Sequence, residues 1–152
     1  MLNEKRFLNK GKEKEERNML KQVSLFSENR KGTLQRITGL LQEEGINILG
    51  SVTNDSAEYG IVRMVVSDTD KALEVLEKAG YLCKKTDVLG IELEDRVGAL
   101  DYLLKALLES NINVNYHYLS FNRESNMPLI ILHTDDITEV SECLKSKGFQ
   151  LL

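Results

Sequence analysis

Two loops of the 152-residue chain carry residue types from which a site for a small zwitterion can be assembled. They read Glu28-Asn29-Arg30-Lys31-Gly32-Thr33 and Glu94-Asp95-Arg96-Val97-Gly98-Ala99, 66 positions apart. Each glycine falls between an expected strand and an expected helix. A residue without Cβ lets the backbone approach a ligand closely there, and the first-turn N–H groups of a helix lack intrahelical partners and suit a carboxylate. The competing reading is that each glycine only makes the turn. Asp95 can accept from an ammonium group, while Asn29 offers an amide that donates or accepts, and both also fit ordinary turn chemistry with their own backbone. The loops differ in the sense a zwitterion requires, with Asn29, Arg30 and Lys31 in the first and the Asp95 carboxylate in the second. Arg30 and Arg96 flank Glu28 and Glu94, and solvated salt bridges of little energetic weight are the default there.

Catalytic chemistry is not signalled. Neither His117 nor His133 has a Ser, Cys or Asp at triad or metal spacing, and His133 at a strand end reads as a capping or surface residue. His117, beside Tyr116, is an ordinary strand residue before it is a pocket residue. Cys83 and Cys143 are isolated, without a C-x-x-C or a neighbouring His, so they read as two buried, reduced thiols and not as a disulfide framework or zinc site. No metal, cofactor or enzymatic activity is implied.

The elements that must position the loops follow from periodicity. Val23, Leu25 and Ser27 alternate with Ser24 and Phe26 as in a half-covered strand; Gly32 and Thr33 then open a helix with the stripe Leu34, Ile37, Leu40 and Leu41, stopped at Gly45. "INILGSVTN" and "GIVRMVVSD" read as a strand pair around "NDSAEYG". Asp68 caps a helix carrying Ala72, Leu73, Leu76 and Ala79, and "YLCKKT" is a fourth strand. The order βαββαβ then repeats. Val88–Leu93 is a strand, and Ala99–Ser110 a helix with Leu100, Leu103, Leu104, Leu107 and Leu108 inward, stopped at Asn111. A strand pair follows around "NRESN", then a helix capped by Asp135 or Asp136, then "FQLL". Asn47 and Asn113 follow the helix stops, where a hydrogen bond tying turn to sheet is the plain reading. The division expected is a charged, solvated tail over 1–18, one unit over 19–87 and a second over 88–152. The tail also reads as a translated ribosome-binding site ahead of a start at Met19.

Composition bounds the partners. Hydrophobic residues make up 41% of the chain, enough for packed cores, and the net charge is −4. The first 18 residues hold six cations against four anions, +2, which leaves −6 for the rest. An acidic body argues against nucleic acid, whose affinity comes from clustered Lys and Arg. No apolar run approaches the roughly 20 residues that cross a bilayer, and the charged start is unlike a secretory signal, so the expected location is the cytoplasm.

A strand, then "ENRKGTL" or "EDRVGAL", an amphipathic helix, then "GIN" or "NIN" entering a strand, twice over from Gln22 to Leu152, resembles the ACT domain. The closest likeness is to small stand-alone bacterial proteins made of two ACT domains, in which amino-acid binding serves allosteric regulation. The resemblance implies an α+β fold of two ferredoxin-like units packed together, with antiparallel sheets joined side by side, helices on one face and an effector at the joint. It places effector contacts at Asn29 and Asp95, at Gly32 and Gly98 with the helix starts Thr33, Ala99 and Leu100, and at Asn47 and Asn113. Ile48, Leu49, Gly50, Val114, Asn115 and Tyr116 become pocket walls. Lys31 and Val97 stand where the family commonly has proline. The chain has no room for an attached enzyme, so the implied partners are an amino-acid effector and a separate enzyme, with a homodimer as a further state. The rival reading is a ligand-free module that docks a partner enzyme through sheet edges or helices.

Each copy of about 65 residues is a marginal core on its own, so the copies must pack on each other, edge to edge through sheets or face to face through helices. The fragment Met19–Asp87 should therefore be poorly folded or should dimerise, as seen by circular dichroism and sedimentation; a stable monomeric fragment would contradict this.

Overall fold

The structure, a computed structural model, describes residues 19–54 and 59–152. The charged tail and the middle of the "NDSAEYG" turn lie outside the described residues. The described elements run β1 (Leu20–Glu28), α1 (Thr33–Glu43), β2 (Ile48–Asn54), β3 (Tyr59–Val66), α2 (Thr69–Lys78), β4 (Cys83–Glu92), α3 (Ala99–Glu109), β5 (Tyr116–Phe121), β6 (Pro128–His133), α4 (Ile137–Ser146) and β7 (Gln150–Leu151). This is the expected α+β arrangement, two βαββαβ units with antiparallel strands.

The local signals act as their chemistry requires. Gly45 and Asn111 stop α1 and α3 at φ 69° and 56°, left-handed values that glycine and asparagine tolerate best. Asp68 and Asp136 cap α2 and α4 by accepting from the backbone N–H of Lys71 and Glu139 at 3.0 and 3.1 Å. Leu108, expected inward, is 76% exposed, because the face of α3 turned to the sheet is the one with Ala99, Leu103, Ala106 and Leu107, flanked by Leu100 and Leu104. Leu34 likewise lies at the surface.

The units join side by side in one larger sheet, as expected, but through a shared strand. "YLCKKT" and Val88–Leu93 are not two strands: Cys83–Glu92 is one continuous strand of ten residues. Its first part pairs with β1, up to Leu20↔Val88, and its last part with β6 and β7, from Leu89↔Leu132 onward. Strand order is therefore β2-β3-β1-β4-β6-β5, with β7 also on β4, in a single seven-stranded sheet.

Side chains alternate across this sheet. Val23, Leu25, Val62 and Met64 meet Ile37, Leu41, Ala72 and Leu76 of the helices in the first half; Leu89, Ile91, Ile130 and Leu132 meet Leu103, Leu107, Val140 and Leu144 in the second. The opposite, helix-free face is closed by curling. Val65, Val88, Tyr118, Leu129 and Ile131 form a third core, with Leu20, Leu49, Val52 and Tyr116 against it. The two halves thus pack through the bare faces of their sheets, and the outermost strands β2 and β5 meet.

At the centre of this inner face lies Gln22, fully buried on β1. Its Nε2 donates to the Tyr116 hydroxyl and to Ser24 Oγ, and its Oε1 accepts from the Tyr118 hydroxyl at 2.8 Å. Burial also pushes the Tyr118 phenol well above its ordinary range, so it stays a neutral donor. Replacing Gln22 by Met keeps the volume but strips the tyrosine hydroxyls of their partner. Gln22→Met should cost about 1–3 kcal/mol in denaturant unfolding; a variant as stable as the parent would show that water satisfies the tyrosines equally well.

Candidate functional site

The two glycine loops have matched geometry. Gly32 and Gly98 both sit at φ 85° as the N-caps of α1 and α3, a left-handed conformation that a side chain would strain. Arg30 and Arg96 donate their backbone N–H to Glu28 and Glu94 O at 2.9 Å, and their side chains pair with the same glutamates at 2.9 and 2.7 Å. Neither helix start has a side-chain cap, in contrast to α2 and α4. The first loop lines an open cavity of 730 Å³ with Arg30, Lys31, Thr33 and Arg36, facing Tyr81 and Leu82. The second lines one of 320 Å³ with Arg96, Ala99 and Tyr102, where Tyr102 and Phe149 lie 5.4 Å apart.

The structure does not bring these loops together. One follows β1, whose end lies beside the start of β4, and the other follows the end of β4. Ten strand residues span about 30 Å, so one small molecule cannot touch both within a chain. Asn29, Lys31, Asp95 and Val97 are all at the surface, while Ala99 and Leu100 turn toward the second core.

Other expected residues converge elsewhere. Ile48 and Leu49 on β2 reach the second half directly. Ser120 donates its hydroxyl to Leu49 O at 2.6 Å, and Arg123 donates to Ile48 O at 3.2 Å. Gly50 allows this approach, since a Cβ there would come within 2.9 Å of Ser120 Oγ. Tyr116 faces the same interior: Arg63 lies 4.1 Å over its ring and His133 stacks on it at 4.9 Å. Asn47 ties turn to sheet, since its N–H donates to Ser67 Oγ and its carbonyl accepts from Ser67 N–H, both at 2.9 Å. Asn113 donates to Asn115 at 3.2 Å, and Val114 packs into the second core. His117 is exposed.

Where β2 meets β5 the inner face is not filled. A cavity of 290 Å³ has Leu20, Leu49, Val65, Leu129 and Ile131 as walls, and Asn122, Arg123 and Glu124 of the β5–β6 turn at its mouth. Gln22, Tyr118, Ser120 and the turn residues were not singled out by sequence reasoning; the one available signal was a cation inside "NRESN" that the first-half turn "DSAE" lacks. Among the described residues no cluster of His, Cys, Asp and Glu could hold a metal ion, and no helix is long and apolar enough to cross a membrane. Cys83 is held protonated by burial, its thiol pushed up to about 11.

Two βαββαβ units in tandem, each with a glycine-opened loop before its first helix, define a paired ACT architecture. The chain belongs to the ACT domain pair family, whose profile matches residues 18–152. It is similar to the protein BT0572 from Bacteroides thetaiotaomicron at 32% identity, covering 89% of this chain and 92% of that one, with a TM-score of 0.81. The fold also matches the ligand-free regulatory subunit of aspartate kinase from Thermus thermophilus at 13% identity, 85% and 93% coverage and a TM-score of 0.61. The corresponding Thermus flavus subunit matches at 16% identity, 84% and 92% coverage and a TM-score of 0.58. No curated protein sequence matches the chain.

The Tyr116 end of the inner face carries a titratable group. Burial pulls His133 below the ordinary imidazole value; Asp135 opposes this, and Arg63 and Lys84 add to it. A depressed folded value means that the unfolded chain binds the extra proton first. The contribution is whole above the unfolded value, about 6.5, and is lost as pH falls from there through the folded one. The melting temperature should therefore drop between pH 7.5 and 5.5, and His133→Phe, which preserves an aromatic stack, should flatten that slope; an unchanged slope would assign it to other groups.

Proposed function

We propose that this chain is a non-catalytic regulatory protein that binds a free amino acid at the joint between its two ACT halves, its liganded state being read by a partner enzyme in the cytoplasm. The observation that carries this reading is the cavity between β2 and β5. Both halves supply its walls, so a ligand there contacts Leu20, Leu49 and Val65 of one and Leu129 and Ile131 of the other. Binding that favours one relation of the halves is what a sensor needs, because a ligand shifts a conformational equilibrium only by its differential affinity for the two states. The glycine loops, with Asn29, Lys31, Gly32 and Thr33 in one and Asp95, Val97, Gly98, Ala99 and Leu100 in the other, are separate positions for a carboxylate. Their uncapped helix starts support that secondary assignment.

A second reading has its own observation. On the helix side of β5, Leu119 and Phe121 are 56% and 55% exposed, whereas the first half has Ser51 and Thr53 facing that side of β2. An apolar strip on an outer strand of one copy alone favours docking of a partner enzyme or of a second copy.

A thermal-shift screen of the twenty amino acids separates the two. A ligand that binds only the folded state adds RT ln(1 + [L]/Kd), about 2.7 kcal/mol at a hundredfold excess, or several degrees for a domain of this size. One or two amino acids should give such a shift. If none does at millimolar concentration, the docking module becomes the better account.

A further inference from the structure

We infer that the joint cavity selects an amino acid with a small aliphatic side chain, its carboxylate held by Arg123 and its ammonium by Glu124, at one site per chain. This rests on the sensor reading above and names the ligand class for the same site. The β5–β6 turn is built to hold these two charges in place. Asn122 and Ser125 both donate to Glu92 Oε2 at 2.6 Å, which fastens the turn to β4. Asn122 also accepts from the Glu124 N–H at 3.0 Å, and Asn126 closes the turn in the left-handed region at φ 61°.

The charges on that turn differ from those on the loops. Arg30 pairs with Glu28, and Arg96 with Glu94, each across two residues. Arg123 and Glu124 form no ion pair among the described residues, with each other or with a third group, although they are neighbours at one cavity mouth. Arg123 donates to Ile48 O, which holds its guanidinium over the seam between the halves. A planar donor fork and a carboxylate lining one cavity supply complements to a zwitterion's two ends.

Below the mouth the chemistry changes. Leu20, Leu49, Val65, Leu129, Ile131 and Leu152 line it with Phe121, and Ser120 among them donates its hydroxyl to Leu49 O. A charged or amide side chain entering this space would lose water without gaining partners, whereas an aliphatic one gains by burial. At 290 Å³ the space lies at the small end of ligand pockets, roughly 300–1,000 Å³. The single copy follows from sequence, since the first half's turn, "DSAE", holds no cation to match Arg123.

Titration calorimetry on the full chain tests this with L-valine, L-leucine and L-isoleucine beside L-lysine and L-aspartate, and with isoamylamine and 4-methylpentanoate, which each lack one charged end of leucine. At least one aliphatic amino acid should bind at one per chain, tenfold or more tighter than either single-charge analogue and than lysine or aspartate. Arg123→Gln and Glu124→Gln should each weaken it at least tenfold, with Arg123→Lys in between; melting of each variant without ligand checks that it folds. Binding of lysine or aspartate in place of the aliphatics, still lost in Arg123→Gln, would overturn the ligand class and leave the joint as the sensor site. Binding indifferent to Arg123→Gln but lost in Gly32→Val or Gly98→Val would move the site to a loop. If no amino acid binds, both the ligand class and the sensor reading fall.

Discussion

A sheet with helices on one face leaves the other face bare, and this protein's whole arrangement follows from how that bare face is hidden. Because β4 belongs to both halves, the two small sheets are one sheet with every helix on the same side. The remaining way to bury the other side is to curl it inward until β2 and β5 meet. A duplicated domain of this size gains a third core from that closure, which neither copy could form alone.

Curling sets the chemistry of the interior. Gly50 and Gly90 leave room on this face, where a Cβ would meet Ser120 Oγ at 2.9 Å and Leu20 Cδ1 at 2.6 Å. A fully buried amide, Gln22, must find partners, and it finds them in two tyrosines of the opposite half. These bonds add register to an otherwise apolar contact. Where the layers diverge, near the β5–β6 turn, the same closure leaves a space that both halves own. A ligand there would touch both halves at once.

The local half of this architecture was legible in the sequence. Helix stops at Gly45 and Asn111, caps at Asp68 and Asp136 and the repeat itself depend on residues a few positions apart, so type and spacing were sufficient. The joint was not legible, because its contacts are between residues far apart in the chain: Gln22 meets Tyr116 and Tyr118 across 94 and 96 positions, and Leu49 meets Ser120 across 71. The two strands expected at "YLCKKT" and Val88–Leu93 are one for a similar reason. Pairing changes there from β1 to β6, yet the backbone runs straight on, and a change of partner leaves no mark on a strand's own alternation. The loops looked able to share one ligand because they are alike in sequence, but likeness carries no information about separation.

The central claim is that an amino acid acts on this protein from the joint. Chemical-shift mapping of the isotope-labelled full chain during titration with L-valine, L-leucine and L-isoleucine in turn tests it directly. The account predicts perturbed amide signals in β2 from Ile48 to Gly50, in β5 and in the turn from Asn122 to Met127, drawn from both halves in one saturable process. Perturbations confined to the Gly32 and Gly98 loops, or none at all, would contradict it.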